Sequence, residues 1–131
     1  MNKYIILILL FVSLSCQKEP NKKLEPTFSS ISKNIFIKKC SLYTCHSSAF
    51  SKKSADLDLS AGKNTYINLV NVPSSTYPEI IRILPGKPDE SLLIQRLEGK
   101  IIISVPLERD CISKDEIQII REWIKNGATP Y

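Results

Sequence analysis

The chain has one histidine, His46, and one methionine, Met1. A Ser-His-Asp arrangement would have to use His46, and no serine lies in a nucleophile-elbow pattern. The acidic residues give no cue for paired-carboxylate chemistry. The chain is therefore read as a non-enzyme, and any activity would have to come from a bound group. The apolar run 4–12 is too short to cross a bilayer, and no internal repeat appears. The net charge of +5 is spread over lysine pairs such as Lys22-Lys23, Lys38-Lys39 and Lys52-Lys53. Paired lysines between apolar positions describe solvated helix faces. Together with the export signal below, they set nucleic-acid binding aside and leave a weakly positive surface that acidic lipid or an acidic redox partner protein would fit.

The chain does have a secretory start: a lysine at Lys3, a short apolar core, then Ser13-Leu14-Ser15 before Cys16. Cys16 in that setting resembles the lipidated cysteine of bacterial lipoproteins, which implies residues 1–15 as signal peptide and membrane attachment through acyl chains on Cys16. A plain secretory signal cut nearby is the alternative. Gln17 is not the aspartate that often retains lipoproteins in the inner membrane. The expected location is therefore the bacterial cell envelope, at the outer membrane, with the domain in the periplasm or at the cell surface. Residues 16–30 are polar, carry Pro20 and Pro26 and lack periodicity, which reads as a flexible tether. Residues 31–131 suffice for one compact domain.

Within that domain the expected elements are short helices joined by long loops. Ser29 or Ser30 is placed to cap a first helix carrying Ile31, Ile35 and Phe36 and running into Cys40. Leu57 and Leu59 alternate with aspartates, and Ser60 can cap a helix through Tyr66 and Leu69, weakened by Gly62. Ile80, Ile81, Ile83 and Leu84 form a β-prone run, and Pro85-Gly86-Lys87-Pro88 is a turn. Asp89 or Glu90 opens a helix with Leu92, Leu93, Ile94 and Leu97, closed by Gly99. The last helix has the strongest signal: a capping box Ser113…Glu116, a face of Ile117, Ile120 and Ile124 beside Trp123, and Gly127 as its stop. The expected fold class is all-α, three to five short helices, with too little core unless something large fills the centre.

Two thiols followed directly by an imidazole, Cys40…Cys45-His46, form the arrangement that tethers and ligates a c-type haem. The usual gap between the cysteines is two residues, and here it is four. Taken in order, this motif, Leu57-Asp58-Leu59-Ser60, Leu69-Val70-Asn71-Val72-Pro73-Ser74, Pro85 to Leu93, and Trp123-Ile124-Lys125-Asn126-Gly127-Ala128 resemble the small cytochrome c-like domains of bacterial lipoproteins. In that family the first cysteine is often set further from the Cys-His pair. The resemblance implies a cytochrome c-like fold in which Ile31, Ile35 and Phe36 meet Ile120, Trp123 and Ile124. It implies covalent haem c on Cys40 and Cys45 with His46 as proximal iron ligand, and electron transfer or small-ligand binding as the function.

One family feature is missing. Related domains carry a methionine before the last helix as second iron ligand, where this chain has Ser104-Val105-Pro106. Cys111, lysine or water are the remaining sixth-ligand candidates, and a vacant position would admit a small ligand. Cys111 also reads as a buried or disulfide-bonded thiol, the more ordinary role for a lone cysteine. The competing reading of the motif is a Cys40–Cys45 disulfide in a haemless interaction or structural lipoprotein. Cys40, Cys45, Cys111 and His46 would also complete a structural zinc set.

Overall fold

The first helix begins earlier than its serine pair suggests. A computed structural model describes residues 23–41, 46–47, 56–60, 62–101 and 112–131. In it Thr27, not Ser29 or Ser30, is the N-cap, its hydroxyl accepting from the Ser30 N–H at 3.3 Å. The helix α1, Phe28–Ile31, runs straight on as a π-helix, Ser32–Cys40. Phe28 is a core residue and Leu24 packs against the core, so the end of the polar segment expected to be tether belongs to the folded unit.

Three further helices follow: α2, Gly62–Leu69; α3, Leu92–Leu97, behind a 3-10 turn at Pro88–Glu90; and α4, Lys114–Lys125. The described residues are helical with no strands. The β-prone run makes only isolated bridges, Val70 with Ile83 and Pro73 with Ile81. Main-chain bonds Asn71 N–H to Ile83 O, Ile83 N–H to Leu69 O and Arg82 N–H to Val72 O stitch the two segments together. Ser60 does not cap α2; its N–H and hydroxyl both donate to Asp58 Oδ1. That pairing lets Asp58 be buried beside Leu59, where simple alternation would have put the aspartate in water.

α4 shows how closely local sequence sets local structure. Both halves of its capping box form: Ser113 Oγ accepts from Glu116 N–H at 3.3 Å, and Glu116 Oε2 accepts from Ser113 N–H at 2.8 Å. At the other end Gly127 N–H donates to Ile124 O, and Ala128 N–H donates to Trp123 O. This is a Schellman closure, with Gly127 at φ +98° and buried Ala128 supplying the accompanying apolar contact. α3 ends the same way, through Gly99 to Arg96 O and Lys100 to Gln95 O.

The core gathers Phe28, Ile31, Ile35 and Phe36 from the first helix and Ile120, Trp123 and Ile124 from α4, with Leu59, Leu69, Ile83, Ile94 and Ala128. Phe28 lies 5.6 Å from Trp123 and meets Tyr66 of α2 edge-on at 5.2 Å, ring centroid to centroid. The chain's first and last helices thus share one core. The turn before α3 is fastened to both. Gly86 N–H donates to Ile124 O at 2.8 Å, and the fully buried Ser91 hydroxyl accepts from Leu84 N–H and donates to Lys87 O. Arg121 of α4 reaches Asp89 and Glu98 at 2.6 and 2.9 Å.

Candidate functional site

The winding of the first helix decides which way Cys40 faces. Its buried positions are Ile31, Ile35 and Phe36, and Cys40 packs half-buried against the same core. At the α-helical step of about 100° per residue, Cys40 would stand about 180° from Ile31; at the π-helical step of about 82° the two lie within about 20°. The apolar spacing of this segment therefore suits π-winding, and burial of Phe36 and Cys40 favours it. Side chains secure the register. Ser41 N–H donates to Phe36 O across five residues, the Ser41 hydroxyl to Ile37 O at 2.7 Å, and Asn34 Nδ2 to Ser30 O at 2.9 Å. π-helical turns are uncommon and are frequently found at functional sites.

Past the helix the chain doubles back. His46 N–H donates to Cys40 O at 3.1 Å, and the His46 carbonyl accepts from Leu59 N–H at 2.8 Å. The main chain of His46 is thus fixed on both sides, to the helix end and to the core-forming segment of Leu59. Cys40 and His46 are both half-buried. Of the expected site residues, these two are brought together; Cys16, Cys45, Val105 and Cys111 lie outside the described residues.

A neighbouring ion pair ties this end of the helix to α4. Lys39 Nζ sits 2.7 Å from Glu116 Oε1 and donates to Oε2 at 2.8 Å. The same carboxylate closes the capping box, so a single side chain caps α4 and holds the residue next to Cys40. Burial alone would push the Glu116 carboxyl up. The hydrogen bonds from Lys39 and Ser113 outweigh it, and the group is held below its ordinary value. The capping box was readable in the sequence. Its second partner, 77 residues away, carried no sequence signal.

Cys40 packs against the core at the helix end, the main chain of His46 is bonded to it, and half-buried apolar side chains pack around the same core, among them Leu57, Tyr66, Val70, Leu93, Leu97 and Ile112. Among the described residues no three His, Cys, Asp or Glu side chains gather as metal ligands; the zinc set would need Cys45 and Cys111. No helix among the described residues is long and apolar enough to cross a membrane. Comparison with known proteins gives no matching family model, no matching curated protein and no matching solved structure.

Proposed function

We propose that this chain is a c-type haem-binding lipoprotein of the bacterial cell envelope, with a cytochrome c-like helical domain carried on a Cys16 lipid anchor. Its work is single-electron transfer to a redox partner protein, or capture of a small ligand at an iron lacking the usual methionine. The observation that carries the reading is the Cys40–His46 reversal, closed by a main-chain hydrogen bond where a core-facing helix end meets the last helix. Cys40 and Cys45 would hold the group as thioethers and His46 would be its proximal ligand. Covalent haem would supply a one-electron iron couple. His46 contributes a nitrogen whose main chain is fixed at both its N–H and its carbonyl. The half-buried aliphatic side chains contribute a water-poor surround, which raises the influence of every nearby charge on the iron.

The alternative is a haemless relative in which Cys40 and Cys45 form a disulfide. The specific observation in its favour is that Met1 is the only methionine, so the usual distal ligand is missing from the domain. One preparation separates the two. The protein is purified from a host that matures c-type cytochromes, denatured, and assayed for covalent haem by peroxidase stain and pyridine haemochrome spectrum. Retained haem that is lost in Cys40→Ser supports the proposal. Colourless protein with a Cys40–Cys45 disulfide in its peptide map refutes it.

A further inference from the structure

The last turn of the first helix is held both locally and at long range. Ser41 N–H donates to Phe36 O at 2.9 Å and the Ser41 hydroxyl donates to Ile37 O at 2.7 Å. Such short-range bonds let go together when a helix end frays. Lys39 supplies the long-range hold. Its Nζ lies 2.7 Å from Glu116 Oε1 and 2.8 Å from Oε2, 77 residues on. The next residue, Cys40, gives its carbonyl to His46 N–H at 3.1 Å, and His46 O accepts from Leu59 N–H at 2.8 Å. Leu59 is buried in the core. The reversal is therefore strung between two posts, Leu59 and a helix end that Lys39 fastens to α4.

Glu116 is suited to that task by the capping box. Ser113 N–H already donates to Glu116 Oε2 at 2.8 Å, and Glu116 N–H donates to Ser113 Oγ at 3.3 Å. The carboxylate is thus fixed before Lys39 reaches it. An ordinary surface pair loses much of its gain in ordering two long side chains; here only Lys39 has to be ordered. The Glu116 side chain is 18% exposed, so the pair is also less screened by salt than one in open water. Lys39 stands in the last turn of its own helix, where the backbone dipoles favour a cation.

We infer that Lys39 and Glu116 are the positioning pair of the Cys40–His46 reversal. Opening of the helix end breaks the pair, so the pair keeps the reversal closed in protein that holds no haem. The inference deepens the proposed function and rests on it for its meaning, since the reversal is where His46 would meet iron beside the Cys40 thioether. Lys39 and Glu116 take no part in binding iron; they act through the main chain of Cys40 and His46. Amides that open together with the pair should respond to its loss, and amides that open by separate local fraying should not.

Amide hydrogen exchange in the full chain, reduced and haem-free, reads the positioning directly. Lys39→Met keeps an apolar stem and the capping box and removes the pair. Glu116→Gln keeps an acceptor for the cap and removes the charge. Each should speed exchange of the Ser41 and His46 amides about two- to fivefold, the range of a partly exposed pair. Lys39→Arg should restore wild-type rates. The double variant should be no faster than either single one, because both remove the same interaction. The Gly99 and Lys100 amides, bonded within the α3 stop to Arg96 O and Gln95 O, are the unchanged controls. Unchanged exchange at Ser41 and His46 in Lys39→Met, equal acceleration at the controls, or additive effects in the double variant would overturn the inference. A haem-free wild type whose Ser41 and His46 amides are unprotected overturns it as well. Haem staining of wild-type protein from a maturing host tests the proposed function separately: colourless protein refutes the haem reading, while the exchange rates still decide whether the pair positions the reversal.

Discussion

Glu116 links the start of α4 to the helix end that carries Cys40, and its removal has a calculable cost. Glu116→Ala deletes the acceptor for the Ser113 N–H, half of a capping box, which costs about 0.5–1 kcal/mol. It also deletes the partner of Lys39. That pair is only partly exposed, 18% at the Glu116 side chain and 36% at Lys39, so it belongs at the upper end of the surface range, about 0.5–1 kcal/mol. Alanine's better helix propensity returns a few tenths of a kcal/mol, leaving about 1.2 kcal/mol. For a domain near 100 residues this lowers Tm by about 5–10 °C. Glu116→Gln retains an acceptor for the cap and loses the charge, so about half of that loss is expected. The pH dependence has a definite sign. The carboxyl is held below its ordinary value of 4.5 in the folded protein. Its contribution is therefore complete above the unfolded value and disappears as pH falls through the lower folded one. Thermal melts of the wild type and both variants from neutral to acidic pH provide the assay. A Glu116→Ala melt within about 1 °C of wild type at pH 7, or a wild-type advantage over Glu116→Gln undiminished well below pH 4, would refute the shared role.

Other side chains give sharper or opposite expectations. Thr65 is fully buried with its hydroxyl unpaired among the described residues, so the near-isosteric Thr65→Val should raise stability by about 1 kcal/mol, read from denaturant midpoints at constant m-value. A drop of the same size would show that the hydroxyl has a partner. Trp123 donates from Nε1 to the Thr129 carbonyl at 2.8 Å. Trp123→Phe should cost about 2–3 kcal/mol, from a lost buried bond and a smaller ring, and a melt unchanged from wild type contradicts that assignment. Gly127→Ala places a Cβ at φ +98° and should cost about 1 kcal/mol through backbone strain alone, since no atom lies within 4 Å of the added carbon. Loss of far more than that in calorimetry would mean a steric clash.

Sequence legibility here followed the range of the interaction. The capping box at Ser113 and Glu116, the glycine stops at Gly99 and Gly127, and the face of Ile120, Trp123 and Ile124 are set by residues within one or two turns, and the structure contains all of them. The helix begins earlier than composition suggests because Thr27 and Phe28 follow a proline-containing polar stretch in which a single aromatic is the only apolar cue. The π-winding leaves no trace at the α-helical step, although Ile31, Ile35, Phe36 and Cys40 fit the wider turn. The burial of Asp58 depends on Ser60 satisfying its carboxylate, and the Lys39–Glu116 pair depends on the tertiary fold. Neither has a periodic trace.

The motifs that suggested a cytochrome c-like domain each have a structural task in this chain. Ser74 Oγ accepts from the N–H groups of Thr76 and Tyr77, and Asn71 occupies the left-handed region at φ +58°. Ser91 and Gly86 fasten the turn before α3, and Gly127 with Ala128 closes α4. These are requirements of the backbone path. A haemless protein with this path would need them as much as a haem protein would, so they are silent on the cofactor. Cys40 and His46 are tested through the iron. The main chain of His46 is bonded on both sides whatever its side chain, to Cys40 O and from Leu59 N–H. His46→Ala keeps those main-chain bonds and should remove the iron ligand from matured protein, read as a changed haem spectrum. An unchanged spectrum would remove the strongest reason for reading this pair as a haem site.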